Sequence, residues 1–318
     1  MKIKLNSDLL NFLEGVGLSN RDVSILPKDA STRTYYRSLQ SKNPFILMDS
    51  SEEKSSLINF INISLWLRKK GFSAPCIYHK DLAKGYCVLE DFGLNKFSII
   101  QSTKIINKYK VTIDLLASLS RLSPPTKLKY YSKKIFMDEL NLFIEWYLFY
   151  DKKIDKLALA SWESIWSNLF KRISSSNKKS IVLRDFHVDN LFWLSDKQGL
   201  KRIGLIDFQD ALIGHPCYDL VSLLQDVRVK LSFKKQQDLY NYYIKTVKAD
   251  EKLFEEVYFI FGTQRIIKII GIFNKLKYLH NKSNYMKHIP RSWTLLKRNL
   301  KYSSLKPLLN WFEAYVFK

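Results

Sequence analysis

The sequence predicts an α+β fold in which a small antiparallel-sheet lobe precedes a larger, mainly helical lobe. Candidate strands concentrate in the first 90 residues of the 318-residue chain, whereas long amphipathic patterns dominate beyond residue 95. Only 10 Gly and 8 Pro punctuate the chain, which favours long helices over a sheet protein with many turns. We therefore expect an N-terminal lobe over residues 1–93 and a helical C-terminal lobe over residues 94–318.

The first lobe is expected to contain three strands, one helix and two further strands. Ser7 and Asp8 are candidate caps of a short leading helix that ends near Gly15. A longer helix, from Ser51 to Lys70, follows the third strand and carries regularly spaced apolar residues. The predicted strands are Val23–Leu26, Thr34–Leu39, Phe45–Met48, Cys76–His79 and Tyr86–Leu89.

The second lobe is predicted to be mostly helix. Its most apolar stretch, residues 257–273, contains Gln264, Arg265 and Lys268, so we interpret it as a buried helix and not as a membrane span. Short strands are expected near residues 181–183, 191–194 and 202–206. The predicted helices cover residues 101–120, 135–150, 158–175, 217–229, 233–247, 251–280 and 292–316.

The composition is that of a globular protein with a strongly basic surface. Hydrophobic residues make up 46% of the chain, and 52 basic residues against 30 acidic ones give a net charge of +22. The lysines are spread along the sequence without a basic block interleaved with aromatics, so we expect a solvated surface and no nucleic-acid partner. Three cysteines in unpatterned positions, and an N-terminus without an apolar leader, predict a cytoplasmic protein with no membrane partner.

Three polar side chains lie at the ends of short apolar runs. Asp185 follows the run at residues 181–183 and Asn190 comes five residues later, while Asp207 follows another run after 17 further residues. Phosphoryl transfer needs such a set, because the reaction is mainly a problem of positioning and of charge neutralisation. We predict that Asp185 is the catalytic carboxylate that takes the proton of an acceptor hydroxyl. Asn190 and Asp207 are predicted to hold Mg²⁺ through hard oxygen ligands.

The spacing of these residues matches the catalytic and metal loops of kinases. The alternative is that Asp185 and Asp207 only cap strand ends in turns. Twelve residues separate Asp207 from Asp219, too few for the activation segment and peptide platform that a protein substrate needs. A small-molecule acceptor is therefore expected. Asp219 is interpreted as a helix cap or as a buried brace for the catalytic loop.

The same segment resembles the aminoglycoside phosphotransferase and choline kinase superfamily. Within it, the segment is most similar to the bacterial anomeric sugar kinases that phosphorylate N-acetylmuramate and N-acetylglucosamine at C1 in cell-wall recycling. The similarity rests on residues 184–190, 207–210 and 214–216, and extends to residues 29–37, 47–49, 89–93, 139–147, 264–273 and 289–291. It implies a two-lobed protein-kinase-like fold, bound Mg²⁺ and transfer of the γ-phosphate of ATP to the anomeric hydroxyl of an amino sugar.

The resemblance also implies site residues in both lobes. For the nucleotide, they are Ser31, Thr32, Arg33, Glu90 and Phe92. For the sugar, they are Glu139, Trp146, His187 and Arg265. Each sugar candidate also has a structural alternative. For Glu139 it is a surface residue, and for Trp146 a core aromatic. For His187 it is a loop residue that bonds to backbone, and for Arg265 a member of a buried ion pair.

Two positions depart from the pattern of the wider superfamily. Leu183 stands where kinases usually carry His, and Met48 stands on the third strand where most carry the Lys that contacts the nucleotide phosphates. A thioether cannot supply that charge, so either Arg33 or Arg37 compensates or nucleotide binding depends more on Mg²⁺. Two alternative functions stay open: phosphorylation of another small hydroxyl compound, such as an aminoglycoside or amino alcohol, and a non-catalytic kinase-like protein that binds nucleotide or RNA.

Overall fold

The computed structural model of the protein describes residues 5–18, 23–27, 32–38, 44–99, 105–149, 154–176 and 178–317. By internal contacts the chain forms two compact units. The first combines Met1–Val111 with Asp189–Ala211, and the second combines Thr112–Val188 with Leu212–Lys318. Each unit is therefore built from two separate stretches of sequence. The predicted lobe boundary after Gly93 stays a prediction.

The strands and helices follow the predicted order, with one additional strand and with one predicted helix divided into two. The strands within the described residues are β1 (Val23–Ile25), β2 (Thr34–Ser38), β3 (Phe45–Asp49), β4 (Ile77–Asp81), β5 (Tyr86–Glu90), β6 (Ser180–Val182), β7 (Leu191–Trp193), β8 (Ile203–Leu205) and β9 (Leu212–Gly214). The α-helices there are α1 (Ser7–Gly15), α2 (Lys54–Lys69), α3 (Ile105–Leu119), α4 (Lys133–Phe143), α5 (Lys156–Ser175), α6 (Cys217–Leu224), α7 (Phe233–Val247), α8 (Glu251–His280), α9 (Ile289–Asn299) and α10 (Lys306–Tyr315).

The first unit contains a five-stranded antiparallel sheet with the order β1-β2-β3-β5-β4. Its central strands β3 and β5 are apolar and largely buried, as expected for a sheet covered on both faces. The turn between β4 and β5 requires Gly85, which has a φ of +86°. A Cβ at that position would lie 2.9 Å from the carbonyl oxygen of Ser50, so the backbone could not approach as closely.

Helix α1 packs on this sheet and closes the core of the first unit. Leu9 and Leu13 of the helix are buried in one cluster with Leu47 of β3 and Val88 of β5. The helix begins after Asn6, whose side chain accepts a hydrogen bond from the backbone N–H of Leu9 at 2.8 Å. The cap is therefore Asn6, and the predicted caps at the next two positions are wrong.

Strands β7 and β8 form an antiparallel hairpin within the first unit. The hairpin is attached on both sides to the segment that flanks the five-stranded sheet. The N–H of Leu205 donates to the carbonyl of Ser73 at 2.8 Å, and the N–H of Trp193 donates to the carbonyl of Asn95 at 2.9 Å. These contacts fix the hairpin, and two predicted site residues flank it: Asn190 directly before β7 and Asp207 two residues after β8.

The second unit is mostly helical and contains a two-stranded antiparallel pair, β6 with β9. Strand β9 was not predicted, because its three residues give too short an apolar run to distinguish from a loop. The single helix predicted over residues 292–316 is two helices, α9 and α10, separated by a 3₁₀ turn at Ser303–Leu305. Pro307 lies in the first turn of α10, where a missing N–H is tolerated and a new helix commonly starts.

The long helix α8 crosses α4 at very short range. A Cβ on Gly271 would lie 2.5 Å from the backbone of Leu142 and Phe143, so only glycine allows this approach. The close crossing places polar residues of α8 opposite the preceding turn of α4. Among the helices that the structure describes, none is both long and apolar enough to span a membrane.

Candidate active site

The two predicted metal ligands lie together at the base of the β7–β8 hairpin. The amide Nδ2 of Asn190 donates to Oδ2 of Asp207 at 3.3 Å, and the backbone N–H of Ile206 donates to the carbonyl of Asn190 at 3.2 Å. Asp207 has a φ of +59°, a strained conformation for a residue with a side chain, which turns the chain sharply after β8. The hairpin pairing, with Leu191 opposite Leu205, brings these two residues together.

The chemistry of this pair fits a magnesium ion. Asp207 is about one-third exposed, and its carboxylate also accepts hydrogen bonds from Gln209 Nε2 at 3.1 Å and Arg33 Nη2 at 2.9 Å. No group of three or more His, Cys, Asp or Glu side chains suited to a metal occurs within the described ranges. The protein would therefore supply one carboxylate and one amide oxygen, with water and phosphate oxygens as the remaining ligands, as is usual for Mg²⁺.

Arg33, and not Arg37, provides the positive charge next to this pair. Met48 is fully buried in β3 and supplies no charge, as its chemistry requires. Arg33 is buried against Asp207, whereas Arg37 donates through Nη2 to Asp91 Oδ1 and to the carbonyl of Gly93, both at 2.8 Å. Of the two compensating residues considered from the sequence, Arg33 is the one that contacts a predicted metal ligand.

The electrostatic surroundings keep Arg33 charged despite its burial. Burial acts to lower the pKa of Arg33, but the electrostatic effects of Tyr35 and Asp207 outweigh it, and the pKa lies above its ordinary value. Tyr35 is half-buried, and the burial of its hydroxyl raises the pKa of that group to about 12. A permanent cation therefore lies beside the Asp207 carboxylate in the first unit.

The remaining nucleotide candidates lie in two places in the first unit. Thr32 is exposed and donates through Oγ1 to Glu53 Oε2 at 3.3 Å, while Ser31 lies outside the described residues. Glu90 ends β5, and its carboxylate accepts the backbone N–H of Cys76 at 3.0 Å. The Phe92 ring packs directly over Gly204 of β8, where any Cβ would lie 2.8 Å from the ring. Their contacts with a nucleotide stay predictions.

In the second unit, two buried carboxylates hold the segment that carries Asp185. Asp219 accepts the backbone N–H of Leu183 at 2.6 Å and that of Arg184 at 3.0 Å, which confirms its interpretation as a brace. Asp226, at the end of the same helical region, accepts the N–H of Val188 at 3.1 Å. Sequence reasoning missed Asp226. Its position after the apolar run of α6 was the available signal, since a carboxylate there is buried and needs donors.

The brace at Asp219 holds a strained backbone. Arg184 has a φ of +67°, in the left-handed region that residues with side chains rarely adopt. Burial raises the pKa of Asp219 to about 7, against the opposing effect of the Leu183 and Arg184 N–H donors. Burial also acts to raise the pKa of Asp226, but Arg228 and His187 outweigh it, and its pKa lies below the ordinary value.

Glu139 is the centre of a buried hydrogen-bond cluster between α4, α8 and the Asp185 segment. Its Oε1 accepts from Arg184 Nη2 at 2.5 Å and from Lys268 Nζ at 2.6 Å. Its Oε2 accepts from Tyr131 Oη at 2.6 Å and from Gln264 Nε2 at 2.8 Å. The carboxylate is thus buried with four donors and not on the surface, while its contact with a sugar stays a prediction.

Two positive charges keep Glu139 ionised. Burial acts to raise the pKa of Glu139, but the charges of Lys268 and Arg184 outweigh it and lower the pKa to about 2. Burial of the Lys268 ammonium acts to lower its pKa, yet Glu139 holds that pKa above its ordinary value. Lys268 was not among the predicted site residues. A lysine inside an apolar helix was the signal that pointed to a buried polar partner.

The other three sugar candidates also lie in the second unit. Arg265 is buried, and its guanidinium makes no hydrogen bond or ion pair within the part of the chain that the structure describes. His187 is buried in the Asp185 segment, and its backbone N–H donates to the carbonyl of Asp185 at 3.0 Å. Trp146 is half-buried on a π-helical turn, Ile144–Leu148, with Lys275 Nζ 5.9 Å from the centre of its ring. Their substrate roles stay predictions.

Comparison with known proteins identifies the family. A model of the phosphotransferase enzyme family matches residues 22–245, which is more than half of the chain. The chain belongs to the phosphotransferase enzyme family. A protein of Caulobacter vibrioides named N-acetylmuramate/N-acetylglucosamine kinase is 30% identical to it, over 96% of this chain and 95% of that protein. A protein of the same name from Neisseria meningitidis is 29% identical over 90% and 88% of the two chains.

Solved structures confirm the predicted kinase-like fold of the phosphotransferase. A choline/ethanolamine kinase family protein from Mesorhizobium loti matches with a TM-score of 0.65 at 10% identity, over 96% of this chain and 97% of the other. A choline kinase from Streptococcus pneumoniae matches with a TM-score of 0.62 at 14% identity, over 92% and 98%. The chain is therefore an enzyme of the phosphotransferase type with an α+β kinase-like fold.

Proposed function

We propose that this phosphotransferase transfers the γ-phosphate of ATP to the anomeric hydroxyl of N-acetylmuramate or N-acetylglucosamine. The names of relatives that match over nearly the whole chain support the sugar. The observation that carries the chemistry is the pairing of Asn190 with Asp207 at 3.3 Å beside a buried arginine. Such a set of oxygen ligands and a fixed cation suits a nucleotide whose phosphates are bound with Mg²⁺.

In the proposed reaction Asp185 accepts the proton of the anomeric hydroxyl. The sugar oxygen forms a bond to the γ-phosphorus as the bond from that phosphorus to the bridging oxygen breaks, and ADP leaves with the electron pair. Asn190 and Asp207 would hold Mg²⁺, which would supply neutralisation of phosphate charge. The braces at Asp219 and Asp226 keep the Asp185 segment in its strained conformation before substrate arrives, so little reorganisation is needed.

The nucleotide is proposed to bind to residues of the first unit. Arg33 would contact the phosphates in place of the lysine that Met48 replaces, and its buried position beside Asp207 supports this role. The hydroxyls of Ser31 and Thr32 would donate to phosphate oxygens. The adenine would lie against the backbone from Glu90 to Phe92, as the family resemblance implies.

The sugar is proposed to bind in the second unit, with contacts from Trp146, His187 and Arg265. Glu139 would share one of its oxygens with a sugar hydroxyl. Because Glu139 already accepts hydrogen bonds from four donors, it would also hold Arg184 and Lys268 in position. We also propose a role in peptidoglycan recycling in the cytoplasm, which the relatives' names and three free cysteines, Cys76, Cys87 and Cys217, support.

The test compares Asp185→Asn with Asp189→Asn, a neutralisation four residues away in the same segment. With N-acetylmuramate or N-acetylglucosamine, we expect Asp185→Asn to lose about 10²- to 10⁴-fold in kcat while ATP binding is retained. Asp189→Asn should stay within about threefold of the wild type, because no catalytic role is assigned to it. NMR of the product gives the phosphorylated position. Full activity of Asp185→Asn, or phosphate on any other hydroxyl, would refute the proposal.

A further inference from the structure

Arg265 is a buried cation whose hydrogen-bonding capacity is unused. Only 5% of the residue is exposed, and its Nη1 is buried without an acceptor among the described residues. Arg265 interacts electrostatically with Asp219 and Asp226, but both carboxylates already accept hydrogen bonds from backbone N–H groups of the Asp185 segment. A buried guanidinium without acceptors is costly, so a bound acceptor would satisfy donors that the protein leaves unmet.

Lys268 is a second cation on the same face of α8, since residues i and i+3 are neighbours on a helix. Its Nζ donates to Glu139 Oε1 at 2.6 Å and lies 3.3 Å from Tyr218 Oη, which accounts for two of its three N–H donors. Its side chain is 13% exposed, and one N–H donor of the ammonium remains for a further acceptor. Asp185 also acts electrostatically on Lys268, which places this cation near the predicted catalytic carboxylate within the second unit.

These observations bear on which sugar the enzyme prefers. N-acetylmuramate differs from N-acetylglucosamine by a lactyl ether that ends in a carboxylate. A guanidinium pairs with a carboxylate through two parallel hydrogen bonds, and an ammonium adds a third without a geometric demand. An acidic sugar would therefore use donors that a neutral sugar leaves unpaired, and unpaired buried donors discriminate strongly between ligands.

We propose that Arg265, assisted by Lys268, binds the carboxylate of an acidic acceptor sugar and makes the enzyme prefer that acceptor over neutral sugars. This rests on the proposed sugar kinase function and adds its specificity determinant. Gln264, beside Arg265 in the sequence, contributes differently, because it donates to Glu139 at 2.8 Å and holds that carboxylate in place.

The test measures kcat/KM for three acceptors: N-acetylmuramate, its methyl ester and N-acetylglucosamine. The ester is larger than the acid by one methyl group and carries no charge. We expect the wild type to prefer the acid over the ester by about tenfold or more, as for a hydrogen-bonded charge. In Arg265→Gln that ratio should fall to about one. Arg265→Lys should restore part of the preference.

Lys268→Gln should also reduce the ratio of kcat/KM for the acid to kcat/KM for the ester. Both values are measured on one preparation, so a lower folded fraction does not affect their ratio. The proposal is overturned if the wild type uses the acid and the ester equally well. It is also overturned if Arg265→Gln lowers all three acceptors by one factor, which is the result for a residue that only supports Asp219 and Asp226. Failure of the proposed function looks different, because the wild type would then phosphorylate none of the three.

Discussion

Replacing Glu139 by glutamine tests whether the buried cluster stabilises the second unit. The substitution keeps the size of the side chain but removes its charge. One of the two accepting oxygens becomes an NH₂ group that faces donors. Glu139 is 6% exposed and accepts from two cations, Arg184 and Lys268, whose side chains are 20% and 13% exposed and would lose this counter-charge. Removal of one partner from a buried ion pair typically costs about 3–5 kcal/mol, because the remaining charge is uncompensated.

The pKa of Glu139 gives a second measure of how much its charge contributes to the free energy of unfolding. Lowering the pKa of Glu139 from 4.5 to about 2 on folding corresponds to about 3 kcal/mol of stability at neutral pH. Because the folded-state pKa is the lower one, this contribution is complete above the unfolded value of 4.5 and is lost as the pH falls towards 2. At pH 3 roughly half of it should remain.

Urea unfolding at pH 7 and at pH 3 measures the loss of stability that Glu139→Gln causes at each pH. Asp138→Asn is the matched control. Asp138 lies next to Glu139 on α4 and pairs with Lys134, but the two side chains are 56% and 81% exposed. An exposed pair of this kind contributes about 0.5 kcal/mol or less. The reasoning is refuted if Glu139→Gln costs no more than Asp138→Asn at pH 7, or if its cost is the same at both pH values.

Two further predictions concern packing and the nucleotide. Gly271→Ala should destabilise the protein by about 1–3 kcal/mol in urea unfolding, since its Cβ would meet backbone at 2.5 Å. Gly15→Ala, with open space around its Cβ, should be neutral or slightly stabilising, and equal effects of the two would contradict the close helix crossing. Arg33→Met should raise the KM for ATP about tenfold or more at saturating sugar, because a charged hydrogen-bond donor beside Asp207 is lost. An unchanged KM for ATP would mean that Arg33 does not contact the phosphates.

Local signals in the sequence were sufficient for much of the fold. The strand–helix–strand order of the first 90 residues is confirmed, because alternation and periodicity are properties of short windows. The spacing of Asn190 and Asp207 also predicted a shared location, and their side chains are 3.3 Å apart. Boundaries were less accurate. Helix α2, for example, begins at Lys54 and not at Ser51, and its N-cap residue Glu53 makes no side-chain capping hydrogen bond.

Contacts between distant residues were beyond the reach of sequence patterns. The partners of Glu139 on α8 are 125 and 129 residues away, so the periodicity of α4 alone left it equally a surface residue or a ligand. The choice between Arg33 and Arg37 was open for the same reason, since it depends on Asp207, which is 174 residues from Arg33. Strand β9 was missed because its pairing with β6, and not its composition, makes it a strand.

The discontinuity of both units has a consequence for how the protein is made on the ribosome. The first unit needs residues 189–211, which carry the β7–β8 hairpin, so a nascent chain of 111 residues lacks two of its strands. The intervening stretch of about 80 residues takes roughly 4–15 s to synthesise at usual elongation rates. During that interval the surfaces of Ser73 and Phe92 that the hairpin covers are open to water and to other chains. Chaperone dependence of folding is therefore expected to be greatest for nascent chains between residues 111 and 211.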